Sequence, residues 1–233
     1  HGSYHLIKYA DDTILLELMN NNVPSTLPSA AIELVDWFQR NELVLNVGKT
    51  KELIFSNARD NPICDNLKIN GTSVEQVESF TYLGTVVDSK LNFKSNTEAV
   101  VKKARKRLFI MKKLYSLRVA RPIITRCYLT FIESVFLYHI CTLFGHLSKT
   151  CLSEFDHVIH VAGSMAHYDF PPISAIYERC FKQRCLRMYA SERTPLFELE
   201  KLPSGRYQQF KCRINLRKYC FRNMCIKFLN SIF

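Results

Sequence analysis

Glycine and proline are scarce, 7 and 8 among 233 residues, and that shortage of turn-formers argues against an all-β fold of many short strands. Tryptophan occurs once, at Trp37, in helical spacing with Ile32, Val35 and Phe38, which predicts a core position. None of the nine cysteines forms a CxxC pair, and Cys180/Cys185 and Cys220/Cys225 are too widely spaced for a zinc ribbon. The odd cysteine count with no secretory signal ahead of it predicts reduced thiols in an intracellular protein, nuclear or cytoplasmic and not secreted. The most apolar run, residues 128–147, approaches membrane-spanning length, but Glu133, His139 and His146 interrupt it. A buried core helix and no membrane partner are expected there. Acidic residues are almost missing from residues 96–126, which hold Glu98 alone.

What is present is a folding composition, 47% hydrophobic and 12% aromatic, with a net charge of +11. The charge is unevenly spread: −3 over residues 1–60, −1 over 61–95, +9 over 96–126, −3 over 127–177 and +9 over 178–233. Two basic blocks of this size are an electrostatic footprint for a polyanion, nucleic acid first among them. The plainer alternative is a soluble basic surface.

In the acidic opening block, His5-Leu6-Ile7-Lys8-Tyr9-Ala10-Asp11-Asp12-Thr13-Ile14-Leu15-Leu16 sets two apolar runs around adjacent carboxylates. The pattern predicts a β-hairpin with Asp11 and Asp12 at its tip. Two carboxylates about 4 Å apart repel by about 4 kcal/mol at an effective dielectric of 20. Such a pair in a cleft needs a cation or a shared proton, and a hard divalent ion such as Mg²⁺ suits carboxylate oxygens and phosphoryl chemistry. A solvated turn is the competing reading.

Farther on, breakers predict a loop over residues 20–29, with Ser29 as N-cap of a helix reaching Arg40. Leu43, Leu45 and Val47 alternate as in a strand, residues 48–51 read as a turn, and residues 52–55 resume a strand. Asn70-Gly71 predicts a hairpin turn between short strands. Residues 80–87 read as one apolar strand. From Thr97, Val100, Ala104, Leu108, Met111 and Tyr115 trace one helix face, with Lys102, Lys103, Arg105, Lys106, Arg107, Lys112 and Lys113 on the rest. Such a helix can follow a phosphate backbone or be an ordinary solvated face.

A core helix, a helix near residues 152–161, a break at Pro171-Pro172 and a basic amphipathic helix over residues 179–188 follow. In the last segment, Tyr207, Phe210, Tyr219 and Phe221 alternate with Arg206, Lys211, Arg213, Arg217 and Lys218, as a stacking surface or a loosely packed tail would. Region 139–167 gathers His139, Cys141, His146, Cys151, His157 and His160, but on a helix His139 and Cys141 point to different faces, which weakens a zinc reading.

The order of these features resembles a known family. Tyr9-Ala10-Asp11-Asp12 resembles the YxDD motif of reverse transcriptases, in the YADD form of non-LTR (LINE-type, jockey-like) retrotransposons. The stretch from Trp37 to Phe55, with Asn41, Leu43, Leu45-Asn46 and Lys49-Thr50-Lys51, is similar to the next palm motif. Phe80-Thr81-Tyr82-Leu83-Gly84 resembles the primer grip, and the basic helix falls where the thumb begins. Residues 128–145 and 202–207 resemble segments beyond the thumb.

The resemblance implies an α+β fold: a partial reverse-transcriptase palm (β-hairpin, helix, short antiparallel strands) over 1–95, then a mostly α-helical thumb and C-terminal region. Basic thumb helices would occupy 96–126, an apolar helical region 127–177 and a basic C-terminal region 178–233. It also implies that Asp11 and Asp12 bind catalytic Mg²⁺, with Lys49 or Lys51 protonating the pyrophosphate leaving group. Tyr9, Tyr82, Leu83, Gly84, Lys102, Lys103, Lys106 and Lys113 would contact primer and template, an RNA template paired to a DNA primer. The implied chemistry is attack of a primer 3′-OH on the α-phosphate of a deoxynucleotide, assisted by two metal ions.

The family's palm also uses an aspartate on an earlier strand and fingers that hold template and nucleotide. Eight residues precede Tyr9, and Asp36, Asp60, Asp65 and Asp88 lie on segments with other assigned places. The expectation is therefore a fragment of an RNA-directed DNA polymerase that is inactive alone and binds Mg²⁺ weakly. The alternative is a non-catalytic basic nucleic-acid-binding remnant.

Overall fold

The computed structural model describes residues 4–19, 24–56, 67–138, 140–191, 201–213 and 215–232. The chain divides into two compact units, one of His1–Phe80 with Asp88–Lys90, the other of Thr81–Val87 with Leu91–Phe233.

The first unit begins with β1 (Tyr4–Tyr9) and β2 (Asp12–Glu17), an antiparallel hairpin in the register Tyr9↔Asp12 to Tyr4↔Glu17. Helix α1 (Leu27–Arg40) follows, starting two residues before the predicted N-cap. Pro28 falls in its first turn, where a missing N–H costs nothing, and Ser29 lies inside the helix with its hydroxyl donating to Thr26 O at 2.8 Å. The cap comes from another element. The Glu17 carboxylate at the end of β2 accepts from the Thr26 N–H and the Thr26 hydroxyl, each at 2.7 Å, and from the Ser25 hydroxyl.

The buried face of α1 is Ala30, Ala31, Val35 and Phe38, so Trp37 is not a core residue. It is 43% exposed, with the Lys8 ammonium 5.5 Å from its ring centre. The alternation through Leu43, Leu45 and Val47 does not become a strand, because among the described residues no segment pairs with it. Asn46 instead caps a 3₁₀ turn over Val47–Lys49, accepting from Lys49 N at 3.1 Å. Leu45 and Val47 pack on the small cluster of Val35, Ile69 and Val74.

Short pairs complete this unit. β3 (Lys51–Glu52) is shorter than expected; β4 (Lys68–Ile69) and β5 (Thr72–Ser73) flank Asn70-Gly71, and β6 (Glu75–Gln76) pairs in parallel with β3. Asn70 at φ 50° and Gly71 at φ 77° provide the two positive φ values that a tight primed hairpin turn requires.

Residues 80–87, expected as one strand, make two: β7 (Ser79–Tyr82) and β8 (Thr85–Asp88), paired in their own sheet. Leu83 at φ 44° and Gly84 at φ 77° turn the chain between them. A lone glycine inside an apolar run is the signal for that turn.

The second unit is helical. α2 (Lys94–Ser116) and α3 (Arg121–Cys127) lead into a π-helical stretch, Tyr128–Glu133, and then α4 (Ser134–Leu137) and α5 (Ile140–Leu143). The expected single core helix is thus interrupted, although Ile124, Tyr128, Ile132, Phe136 and Ile140 still form one buried ridge at four-residue spacing. No single helix among the described residues is long and apolar enough to cross a membrane.

α6 (Lys149–Ala166) starts at Ser148, whose hydroxyl accepts from Cys151 N at 3.1 Å, and packs on α2, where Ala104 and Ala162 are fully buried. Their small side chains allow close approach of the two backbones. Pro171-Pro172 separates α6 from α7 (Ile173–Ala190), whose first N–H donates to Asp156 Oδ1 at 2.8 Å, an anion at a helix N-terminus. α8 (Asn215–Lys218) and α9 (Phe221–Ile232) close the chain.

Candidate functional site

The carboxylates sit at the turn of the β1–β2 hairpin. With Tyr9 facing Asp12, the loop is two residues, Ala10 and Asp11, and Ala10 adopts φ 53°. A positive φ on an alanine is strained, and such strain persists where the surrounding structure fixes it. Asp11 and Asp12 are both exposed, as is Tyr9 at 64%.

Among the described residues no three His, Cys, Asp or Glu side chains gather to hold a metal ion. Asp36 and Asp88 are therefore not partners of the pair, while Asp60 and Asp65 lie outside the described residues, as does His139 of the Cys/His-rich region. Mg²⁺ requires near-octahedral oxygen ligation. Two exposed carboxylates do not make that donor set by themselves.

The two candidate lysines of this unit differ. Lys51 is ion-paired to Glu75, its cross-strand neighbour in the β3–β6 pair. Lys49, at the end of the 3₁₀ turn, is exposed. The neighbouring Glu52 is held above the usual carboxylate range by burial, partly offset by a hydrogen bond with Gln76.

In the second unit, Tyr82, Leu83 and Gly84 form the tip of the β7–β8 hairpin. Two side chains that sequence reading does not single out for function hold that tip. The Tyr138 hydroxyl donates to Leu83 O at 3.0 Å, and Asn96 Oδ1, on a side chain only 6% exposed, accepts from Val86 N at 3.0 Å.

Along α2 the cations divide by type. Arg105 pairs with Glu154 at 2.6 Å, and Arg107 donates to the Phe131 carbonyl, so both guanidinium groups are committed to the fold. Lys102, Lys103, Lys106, Lys112 and Lys113 are exposed, and among the described residues none of them is ion-paired. Lys102, Lys106, Phe109 and Lys113 fall on one stripe at spacings of three and four. Phe109 is 63% exposed, with the Lys113 ammonium 6.0 Å from its ring centre.

The aromatic residues of the C-terminal region are occupied within the fold. Arg217 and Arg222 lie 5.6 and 5.0 Å from the Phe210 ring centre, Lys218 lies over Tyr219, and Arg184 lies over Phe221. Tyr207 is buried under Lys201, and its backbone exchanges hydrogen bonds with the Asn230 side chain at 2.7 and 2.9 Å.

No family model matches the sequence, and no solved structure matches it. Over 122 residues, half of its length, the chain is 30% identical to the RNA-directed DNA polymerase from mobile element jockey of Drosophila funebris, and it covers 13% of that protein.

Proposed function

We propose that the chain is a segment of a LINE-type reverse transcriptase comprising part of the palm, the primer grip, the thumb and the region that follows. The observation that carries the reading is the coincidence of Tyr9-Ala10-Asp11-Asp12 with a two-residue hairpin turn in a chain similar to a jockey polymerase. In this reading Asp11 and Asp12 are the palm's metal-facing carboxylates, and Lys49 rather than the ion-paired Lys51 is the leaving-group acid. The β7–β8 tip and the α2 lysines hold an RNA template paired to a DNA primer.

The chain alone binds such a hybrid without extending it, because the pair lacks a third ligand among the described residues. Two carboxylates without that ligand bind Mg²⁺ weakly. Lysines that neutralise phosphates release counterions, so affinity falls steeply with salt.

Primer extension on an RNA template with Mg²⁺ and deoxynucleotides tests the reading, together with hybrid binding as a function of salt. The expected outcome is binding without extension. Replacing Lys102, Lys103, Lys106 and Lys113 by Gln should flatten the salt slope by roughly one unit for each phosphate that is no longer neutralised. Asp11→Asn should leave binding unchanged. Extension by the chain alone refutes its incompleteness and leaves the family reading standing, whereas an absence of salt-dependent binding refutes the reading.

A further inference from the structure

The turn between β7 and β8 is held from two directions by side chains of the helical unit. Leu83 and Gly84 both have positive φ, and such a turn depends on its surroundings to keep its shape. On one side Tyr138, between α4 and α5, donates its hydroxyl to Leu83 O at 3.0 Å, and its ring edge lies 3.5 Å from where a Cβ on Gly84 would stand. On the other side Asn96, in the first turn of α2, accepts the Val86 N–H at 3.0 Å.

Asn96 is nearly buried, and burying an amide there is expensive unless it is hydrogen-bonded. Its bond goes to the strand and not to the helix that carries it. A small apolar cavity of about 30 Å³ lies beneath, lined by Gly84, Thr85, Asn96, Thr97, Phe136 and Tyr138 among others. The tip is therefore fastened both to the start of the lysine-bearing helix and to the apolar ridge behind it.

We infer that Asn96 and Tyr138 are positioning residues that clamp the Leu83-Gly84 turn, Asn96 to the start of α2 and Tyr138 to the apolar ridge behind it, so that turn and lysine stripe move as one body along a single duplex. This rests on the reading of that turn as the primer grip. The clamp predicts that the lysines set general affinity for a hybrid, whereas the geometry of the tip sets preference for a recessed primer 3′ end. Loosening the clamp then erodes the preference more than the affinity.

The test uses the 233-residue chain, with Tyr138→Phe as the mild variant and Asn96→Ala as the severe one. Amide hydrogen exchange is read at residues 83–86 and, as a control, in α6. Fluorescence anisotropy compares an RNA–DNA hybrid with a recessed DNA 3′ end against a blunt hybrid of equal length.

Tyr138→Phe removes one oxygen and keeps the ring against Gly84, so exchange at the tip should rise about fivefold with α6 unchanged. Asn96→Ala leaves the Val86 N–H without its acceptor and should raise tip exchange by about thirtyfold. Both variants should lose most of the preference for the recessed end while binding the blunt hybrid within about twofold of wild type. Unchanged tip exchange in both variants overturns the clamp. Faster tip exchange with an intact preference for the recessed end overturns the positioning role. If the wild type binds neither hybrid, the reverse-transcriptase reading fails, and the exchange data still decide whether the clamp exists.

Discussion

The two units differ in what supports them. The first carries the carboxylate hairpin on a helix and pairs of short strands, and among the described residues its cluster is Val35, Ile69 and Val74 with Leu45, Val47 and Leu67 packed against them. Leu6, Ile7 and Tyr9 of its hairpin remain 51%, 46% and 64% exposed. The second has one continuous core running through α2, α3, α6, α7 and the broken apolar segment, with a dozen partly buried side chains around it. The candidate chemistry thus lies on the less buried unit and the candidate grip on the more buried one. Buried apolar area stabilises at about 25 cal/mol per Å², so the second unit should resist unfolding and the first should open locally at lower free energy. Hydrogen exchange over β1–β2 faster than over α2 and α6 is the expected pattern, and uniform protection would erase the contrast.

The largest effects should come from the second unit. Glu133 is 6% exposed and bonded at 2.8 Å to Arg179 on α7, which is half-exposed. Arg179→Ala would strand a buried carboxylate and should cost about 3–5 kcal/mol. Ile132→Ala, at a fully buried site, should cost about 2–5 kcal/mol through reduced burial and the cavity left behind. Both are read from urea unfolding monitored by helical circular dichroism. Val74→Ala, in the small cluster, should cost about 1–3 kcal/mol and quicken exchange only in the first unit, because the Val35 and Ile69 side chains it clusters with belong to that unit. If Val74→Ala instead destabilises α6 as strongly as Ile132→Ala does, the units are not energetically separate.

The second unit is also the more legible from sequence, for the same physical reason. Helical periodicity with a basic face reports the buried side of α2 at Ala104 and Met111, although Tyr115 of the expected face is exposed and Val101, outside it, is buried. In the first unit the pattern misleads wherever pairing, not periodicity, decides the outcome. Leu43, Leu45 and Val47 alternate, but a strand needs a partner, and Asn46 turns the segment into a 3₁₀ cap. Trp37 has helical spacing, yet it lies against Lys8 of the hairpin and not in the core. The YADD stretch is readable as a turn because two apolar runs bracket it. That no third carboxylate joins the pair among the described residues is a tertiary matter. So is the clamp by Asn96 and Tyr138, which lie 10 and 55 residues from the backbone groups they bind. The split of residues 80–87, by contrast, has its signal in Gly84 alone.

Acid should separate the units next. Burial of Glu17 opposes its charge, but hydrogen bonds from Ser25, Thr26 and Leu27 outweigh it and hold the carboxyl below the ordinary value of 4.5. A group with a lowered folded pKa contributes stability that is present above its unfolded pKa and lost as pH falls through the folded one. The start of α1 should therefore loosen as pH drops below about 4.5. Glu17→Gln should mimic that loss at neutral pH, with a cost of about 1 kcal/mol for a weakened helix cap. Exchange at residues 26–31 measures both, and a start of α1 indifferent to pH between about 6 and about 3 would show that the cap does not hold the helix.

The smallest predicted effects probe the two glycine turns, one from each unit. Gly71 and Gly84 share φ 77°, so alanine at either meets the same backbone penalty, about 1 kcal/mol. Their surroundings differ. A Cβ on Gly71 meets nothing within 4 Å, whereas one on Gly84 meets the Tyr138 ring at 3.5 Å, an ordinary van der Waals distance. Gly71→Ala should thus cost only the backbone penalty and stay local to β4–β5. Gly84→Ala should cost about the same or slightly less, since the new methyl packs against the ring. Thermal unfolding of the two variants, with exchange at residues 68–73 and 82–86, makes the comparison. A much larger loss for Gly84→Ala would mean that the tip has no freedom to absorb a methyl, and the clamp would then be tighter than its two hydrogen bonds account for.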